Sequence, residues 1–300
     1  MKIEAARLTR GRALGCLAAA VASGCTHRSP DSITVGSKNF TEELLLGELY
    51  AQMLERHGLP VSRKLNLGGT QIAMAALERG EIDLYPEYTG TALIAVLGKQ
   101  PLRDAGAIYA TVKREYATKY KLTWLSPAPM NNTQALATTQ AIRRRLKLTT
   151  LSDLSKAAPM LRLGAIPEFT KRPDALPGLQ HEYGGFQFKS IRLLDIGLKY
   201  KALQNGDVDV VVAFGTDGAI AADHLYVFVD DKHFWPTYQA APVVRTETLL
   251  KYPAVSGALD KLSPLLTDDV MRRLNESIDG PAKREPADVA HEFIEQNKLG

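Results

Sequence analysis

Residues able to do chemistry gather in short polar turns that follow apolar runs. Gly80 to Leu93 reads Gly-Glu-Ile-Asp-Leu-Tyr-Pro-Glu-Tyr-Thr-Gly-Thr-Ala-Leu. Its turn, Tyr88 to Thr91, offers an aromatic face, hydroxyls, backbone N–H groups and a helix N-terminus. That set suits binding rather than bond-making, because no nucleophile stands beside a base; the plainer alternative is that Tyr88 fills core space. Lys38, in Ser37-Lys38-Asn39, and Gly68-Gly69-Thr70 hold similar places, after a strand pattern and before a helix pattern. An ammonium and free helix N-termini on one rim suit an anionic group, although two glycines are also what a tight turn requires. Arg172 stands near the centre of the polar loop Glu168 to Asp174.

Alternating strand and helix patterns must position these turns. Ile33 to Gly36 reads as a first strand. Asn39 with Glu42 reads as a helix N-cap pair, Leu45, Leu46, Leu49, Met53 and Leu54 recur at helical spacing, and Gly58 ends the helix. Val61 to Leu67 is a second strand, Gln71 to Arg79 a second helix, and Ile82 to Leu84 a third strand that Pro86 should terminate. The opening is therefore an α/β pattern with a parallel sheet, a fold that places ligands at strand-to-helix turns. After a helix over 103–120 and a strand at Leu122 to Leu125, Asn131 to Ala137 reads as a crossover into a new unit. There, Ser152 is expected to cap a short helix, and Leu161 to Ile166, Phe186 to Ile191, Val208 to Phe214 and Leu225 to Val229 are expected strands. The continuous apolar run Val208 to Phe214 marks a strand buried on both faces. Ala241 to Val244 would return to the first unit, followed by a mainly helical end. The pattern builds two α/β lobes, the second inserted into the first: 33–131 and 239–300 against 132–238.

The N-terminal segment stands apart. Lys2, Arg7, Arg10 and Arg12 precede the apolar or small stretch Ala13 to Gly24, the layout of a secretory signal. Small residues before Cys25 resemble a lipoprotein cleavage box, with 1–24 the signal, Cys25 the lipid-bearing residue and 25–32 a tether. Without residues 1–24 the net charge of +4 falls to +1, so charge gives no argument for a nucleic-acid partner. Cys16 would be lost with the signal, leaving the folded part no cysteine for a disulfide, thiol catalysis or zinc.

No zincin, paired-cysteine, dinucleotide, P-loop or serine-hydrolase motif occurs. The histidines are scattered, and His233 beside Asp230 and Asp231 reads as a solvated turn rather than a metal site. Neither metal, cofactor nor enzyme activity is expected.

Taken in order, Val35-Gly36-Ser37-Lys38-Asn39-Phe40-Thr41-Glu42, Leu67 to Thr70, Gly80 to Thr91, Asn131-Asn132-Thr133, Glu168-Phe169 with Arg172, Thr216-Asp217-Gly218, and Asp230-Asp231-Lys232 with Pro236 and Tyr238 resemble the glycine betaine/choline (osmoprotectant) substrate-binding proteins of ABC importers. The resemblance runs from about 33 to 245. It implies a type II periplasmic-binding-protein fold, α/β, with a ligand cleft between two lobes. It also implies an aromatic box for a trimethylammonium head, which has no N–H to donate and is held by ring faces. Carried over by motif, Tyr88, Phe214 and Tyr238 look like box walls. Lys38, Thr91 and Arg172 look like carboxylate partners, and Asn132 lies at the box edge. Gln134 stands where relatives often have a further tyrosine, and Phe214 keeps a ring without its hydroxyl. The missing ring removes roughly 0.5–2 kcal/mol of cation–π attraction.

The implied protein is a periplasmic or otherwise extracytoplasmic monomer, anchored through Cys25, that hands a quaternary amine to a permease in the inner membrane. Gln134 favours a rival reading, the same scaffold with a guanidinium compound or amino-acid derivative as ligand. An enzyme would need a catalytic pair at the cleft. A sensor would need a transmembrane or output segment after 245, where the pattern is ordinary helix.

Overall fold

Ile33–Gly36 (β1) is buried along its whole length, which follows from an apolar run with neighbours on both sides. It pairs in parallel with Val61–Lys64 (β2) and with Leu84–Tyr88 (β3). The computed structural model describes residues 31–299; the expected signal segment and Cys25 lie outside the described residues. The remaining strands are Leu122–Trp124 (β4), Gln134–Thr138 (β5), Arg162–Ala165 (β6), Ser190–Leu193 (β7), Val210–Phe214 (β8), Tyr226–Val227 (β9) and Ala240–Arg245 (β10). They form two sheets with orders β2-β1-β3-β10-β4 and β7-β6-β8-β5-β9. In each sheet a parallel set is completed by one antiparallel strand, β10 beside β3 in the first and β5 beside β8 in the second. The chain leaves the first sheet after β4 and rejoins it at β10, so that two α/β lobes are built on two sheets.

The helix Thr41–Arg56 (α1) buries Leu45, Leu46, Leu49, Met53 and Leu54. Val255 and Leu259 from one C-terminal helix, and Val289 and Phe293 from another, belong to the same core. Thr70–Glu78 (α2) and the short turn Thr89–Thr91 (α3) begin where β2 and β3 lead. From Ala92 the helix widens, with Leu97 N–H donating to the Ala92 carbonyl.

Several local expectations are corrected. Pro86 does not end its strand; β3 continues to Tyr88. Pro86 faces Pro242 in β10, and Thr89 N–H bonds to the Gln239 carbonyl three residues along that register. The two prolines thus form a non-hydrogen-bonded pair, where neither owes the other an N–H. Asn39 does not cap α1, whose N-cap is Phe40; instead the Glu43 carboxylate reaches back to the Lys38 N–H at 3.0 Å. Thr150, not Ser152, caps the helix Leu151–Ala157, in a reciprocal box with Asp153. The strand expected at 186–191 is displaced to Ser190–Leu193. Phe186, at φ 59°, is a buried loop residue packed edge-on against Tyr183, so the Phe186/Phe188 alternation belongs to a loop.

Candidate functional site

The carboxyl ends of parallel strands converge on one cavity of about 230 Å³. Lys38 follows β1, Tyr88 closes β3, Phe214 closes β8, and Thr91 lies in α3. Gln134 opens β5 directly opposite Phe214, and Tyr238 precedes β10. With Asn132 on the crossover and Arg172 in the loop after β6, every residue singled out in the sequence as ligand-contacting lines this cavity.

Rings dominate one side. Phe40, which the sequence reading did not select, lies between Tyr88 and Phe214. Its ring centroid is 6.3 Å from that of Tyr88 and 6.4 Å from that of Phe214, with interplanar angles of 22° and 17°. The signal for Phe40 was its place two residues after Lys38 in the same turn. The Tyr238 ring lies over Gly90, where a Cβ would come within 2.7 Å of it. Glycine is what lets this ring enter the wall. Protein cations already sit on two ring faces: Lys38 Nζ is 4.5 Å from the Tyr88 centroid, and Lys199 Nζ is 4.3 Å from that of Phe214.

Lys38 is buried and does not stand alone. Its Nζ donates to Glu87 Oε1 at 2.7 Å and lies 3.4 Å from Glu43 Oε1. Glu87 is satisfied further by the Tyr88 N–H at 2.7 Å and the Tyr85 hydroxyl at 2.8 Å. Burial would depress the Lys38 ammonium, but Glu43 and Glu87 more than reverse this and hold it above its usual range. Burial pushes the neighbouring Glu43 carboxyl up to about 8 despite Lys38. One residue earlier, Glu42 accepts from the Tyr88 hydroxyl and Asn132 Nδ2, each at 2.7 Å, and from Asn275 Nδ2 at 2.8 Å. Burial raises both the Glu42 carboxyl and the Tyr88 phenol, so the phenol remains a donor.

A second polar cluster centres on Asp174, fully buried and also missed in the sequence. Arg172 grips it with both arms of its fork, Nε to Oδ1 at 2.8 Å and the second contact to Oδ2 at 2.5 Å. Asp174 Oδ2 also accepts from the Tyr238 hydroxyl at 2.5 Å and from Gln134 Nε2 at 2.9 Å. The Asp174 carbonyl accepts from Gln134 Nε2 and Trp235 Nε1, each at 2.9 Å. Burial opposes the Arg172 charge, and Asp174 outweighs that and raises its pKa. Gln134 is therefore part of a network rather than a simple gap in the aromatic wall. Among the described residues no group of three or more His, Cys, Asp or Glu is placed to hold a metal ion.

The cavity offers rings, hydroxyls and a paired guanidinium, all preset, which is the equipment of a small-molecule receptor. Comparison with known proteins agrees. Residues 31–296 match the family described as the substrate binding domain of ABC-type glycine betaine transport systems. The chain is 36% identical over 303 residues to a glycine-betaine-binding protein of Pseudomonas aeruginosa, covering 98% of this chain and 96% of that one. It is 36% identical over 265 residues to the ergothioneine transport permease/ergothioneine binding protein of Helicobacter pylori (strain G27), covering 88% of this chain but 47% of the relative. The chain thus spans about half the length of that relative. A crystal structure of a glycine betaine/carnitine/choline ABC transporter superposes with a TM-score of 0.74 at 30% identity, over 89% of this chain and 99% of that one.

Proposed function

The chain belongs to the substrate-binding domains of ABC-type glycine betaine transport systems, and from that premise we propose that it captures a small quaternary amine outside the cytoplasm and delivers it to a membrane permease. The observation that carries the reading is the ring-lined cavity: Tyr88, Phe40, Phe214 and Tyr238 gather at its wall. A quaternary ammonium cannot donate a hydrogen bond, and it is best held by dispersion and cation–π contacts with ring faces. Thr91, Asn132, Gln134 and Arg172 supply polar contacts for the rest of the ligand. No bond is made or broken; binding shifts an equilibrium between open and closed arrangements of the two lobes. The relatives' names point to glycine betaine and ergothioneine, both quaternary amines, as the ligand class.

The finer assignments belong to the same proposal. The protein acts as a periplasmic or otherwise extracytoplasmic monomer, tethered to a membrane by a lipid on Cys25 and serving osmoprotection. Lobe 1 comprises 33–131 and 239–300, and lobe 2 comprises 132–238.

A second reading is favoured by Gln134. Its Nε2 is spent on Asp174 and Tyr238, while its Oε1 accepts no hydrogen bond among the described residues. A ligand with N–H donors, such as a guanidinium compound, would find an acceptor there.

Calorimetric titration of the purified protein with glycine betaine, choline, carnitine and arginine separates these readings. The expected result is saturable binding of a quaternary amine, weakened in Phe214→Leu by about 2- to 30-fold, the equivalent of ~0.5–2 kcal/mol. Heat from arginine alone would leave the transport role and remove the quaternary-amine assignment.

A further inference from the structure

The sequence suggested that a lysine, an arginine and helix N-termini on one rim would hold a ligand carboxylate. Each of those positive features already faces an anion supplied by the protein. Lys38 Nζ is 2.7 Å from Glu87 and 3.4 Å from Glu43. The Arg172 fork closes on Asp174, with Nε 2.8 Å from Oδ1. Near the N-terminus of α2, Glu168 Oε1 would lie 3.3 Å from a Cβ added at Gly69, the N-cap residue, without hydrogen-bonding to the helix. Glu168 and Asp195 both line the cavity, and neither carboxylate has a partner among the described residues. Lys38 is buried and Arg172 partly buried, both paired, whereas the unpartnered carboxylates on the cavity lining, Glu168 and Asp195, are exposed.

Resting on the quaternary-amine reading, we propose that this site selects its ligand by the cationic head alone, and that Asp174 is the specificity-determining residue. By occupying the Arg172 fork, Asp174 turns a carboxylate anchor into a paired guanidinium. The ligand class is a quaternary ammonium alcohol or ether of net positive charge, the chemistry of choline, rather than a carboxylate betaine. A betaine entering this cavity would bring its carboxylate toward Glu168, Asp195 and Asp174 with no unpaired cation to receive it, and like charges in a partly buried site repel strongly.

The test is a titration of the full protein, wild type and two variants, with choline and with glycine betaine. Wild type is expected to bind choline at least about tenfold more tightly, the scale of one charge-assisted hydrogen bond not made to the betaine. Arg172→Gln, which removes the guanidinium, should not weaken glycine betaine selectively: the ratio of choline to betaine affinity should stay within about threefold of wild type, because no ion pair to a ligand carboxylate is lost. Asp174→Asn, which keeps the shape and frees the Arg172 charge, should reverse the preference toward glycine betaine. A merely structural role for Asp174 would weaken both ligands equally and leave their ratio unchanged, which would overturn the assignment. Tighter binding of glycine betaine by wild type, or selective loss of betaine binding in Arg172→Gln, would overturn head-only selection while sparing the quaternary-amine reading. Failure of both ligands to bind wild type would overturn the two together. The wild-type and Arg172→Gln titrations decide the matter even where Asp174→Asn folds poorly.

Discussion

The two polar clusters behind the cavity solve the same problem differently. Around Lys38, one ammonium is shared by Glu43 and Glu87, so acid is in excess and Glu43 keeps its proton up to about pH 8. Around Asp174, a single carboxylate serves Arg172, Tyr238 and Gln134 together, and among the described residues no second carboxylate hydrogen-bonds Arg172. The first cluster has redundancy and a titratable member. The second is a hub whose loss strands a partly buried guanidinium. A site can thus hold paired charge twice and be brittle on one side only.

Removing the hub is the severest test of that contrast. Asp174→Ala leaves Arg172 uncompensated and two neutral donors unpaired, and should cost on the order of 3–5 kcal/mol by denaturant unfolding. A loss below about 1 kcal/mol, within the range of an exposed pair, would erase the difference between the clusters. Gly90→Ala comes next, because it tests the seat of a hub member. Its Cβ would meet Tyr238 at 2.7 Å and the Thr237 carbonyl at 2.9 Å. Displacing the ring should cost about 1–3 kcal/mol of stability and weaken the ligand as well, readable in parallel melting and binding curves.

The redundant side is tested by its pH dependence. The ordinary pKa of Glu43 is 4.5 and its value in the fold is about 8. The folded protein therefore holds a proton that the unfolded chain has already released, and the stability from this group falls as pH rises from 4.5 toward 8. Glu43→Gln should flatten that decline, with melting points close to wild type near pH 5 and higher than wild type near pH 8. A steeper decline in the variant would mean that Glu43 is ionised in the fold, and the clusters would then be alike.

Much of this site was legible in the sequence because its cavity-lining residues sit at strand ends, and strand ends announce themselves. Lys38 follows Ile33–Gly36, Phe214 closes an unbroken apolar run, and Tyr88 precedes a glycine turn. What supports those residues was not legible. Asp174 stands two positions from Arg172, but its other partners, Gln134 and Tyr238, come from 40 and 64 residues away, and only the fold brings them together. Phe40 was passed over because its turn was read for its charge and cap. Pro86 misled because proline was read by itself, whereas the register sets it opposite Pro242. Likewise Lys38 and Arg172 stood in the sequence as positive features alone, and the acids that pair them, Glu87 and Asp174, come into view only in the fold.

If the cavity takes a quaternary ammonium among its rings, a crystal structure of the protein grown with choline will show it. The choline nitrogen is expected within about 6 Å of the ring centroids of at least two of Tyr88, Phe40, Phe214 and Tyr238. Choline bound away from these rings, in the neighbouring cavity beside Lys201, Asp223 and Lys283, would contradict it.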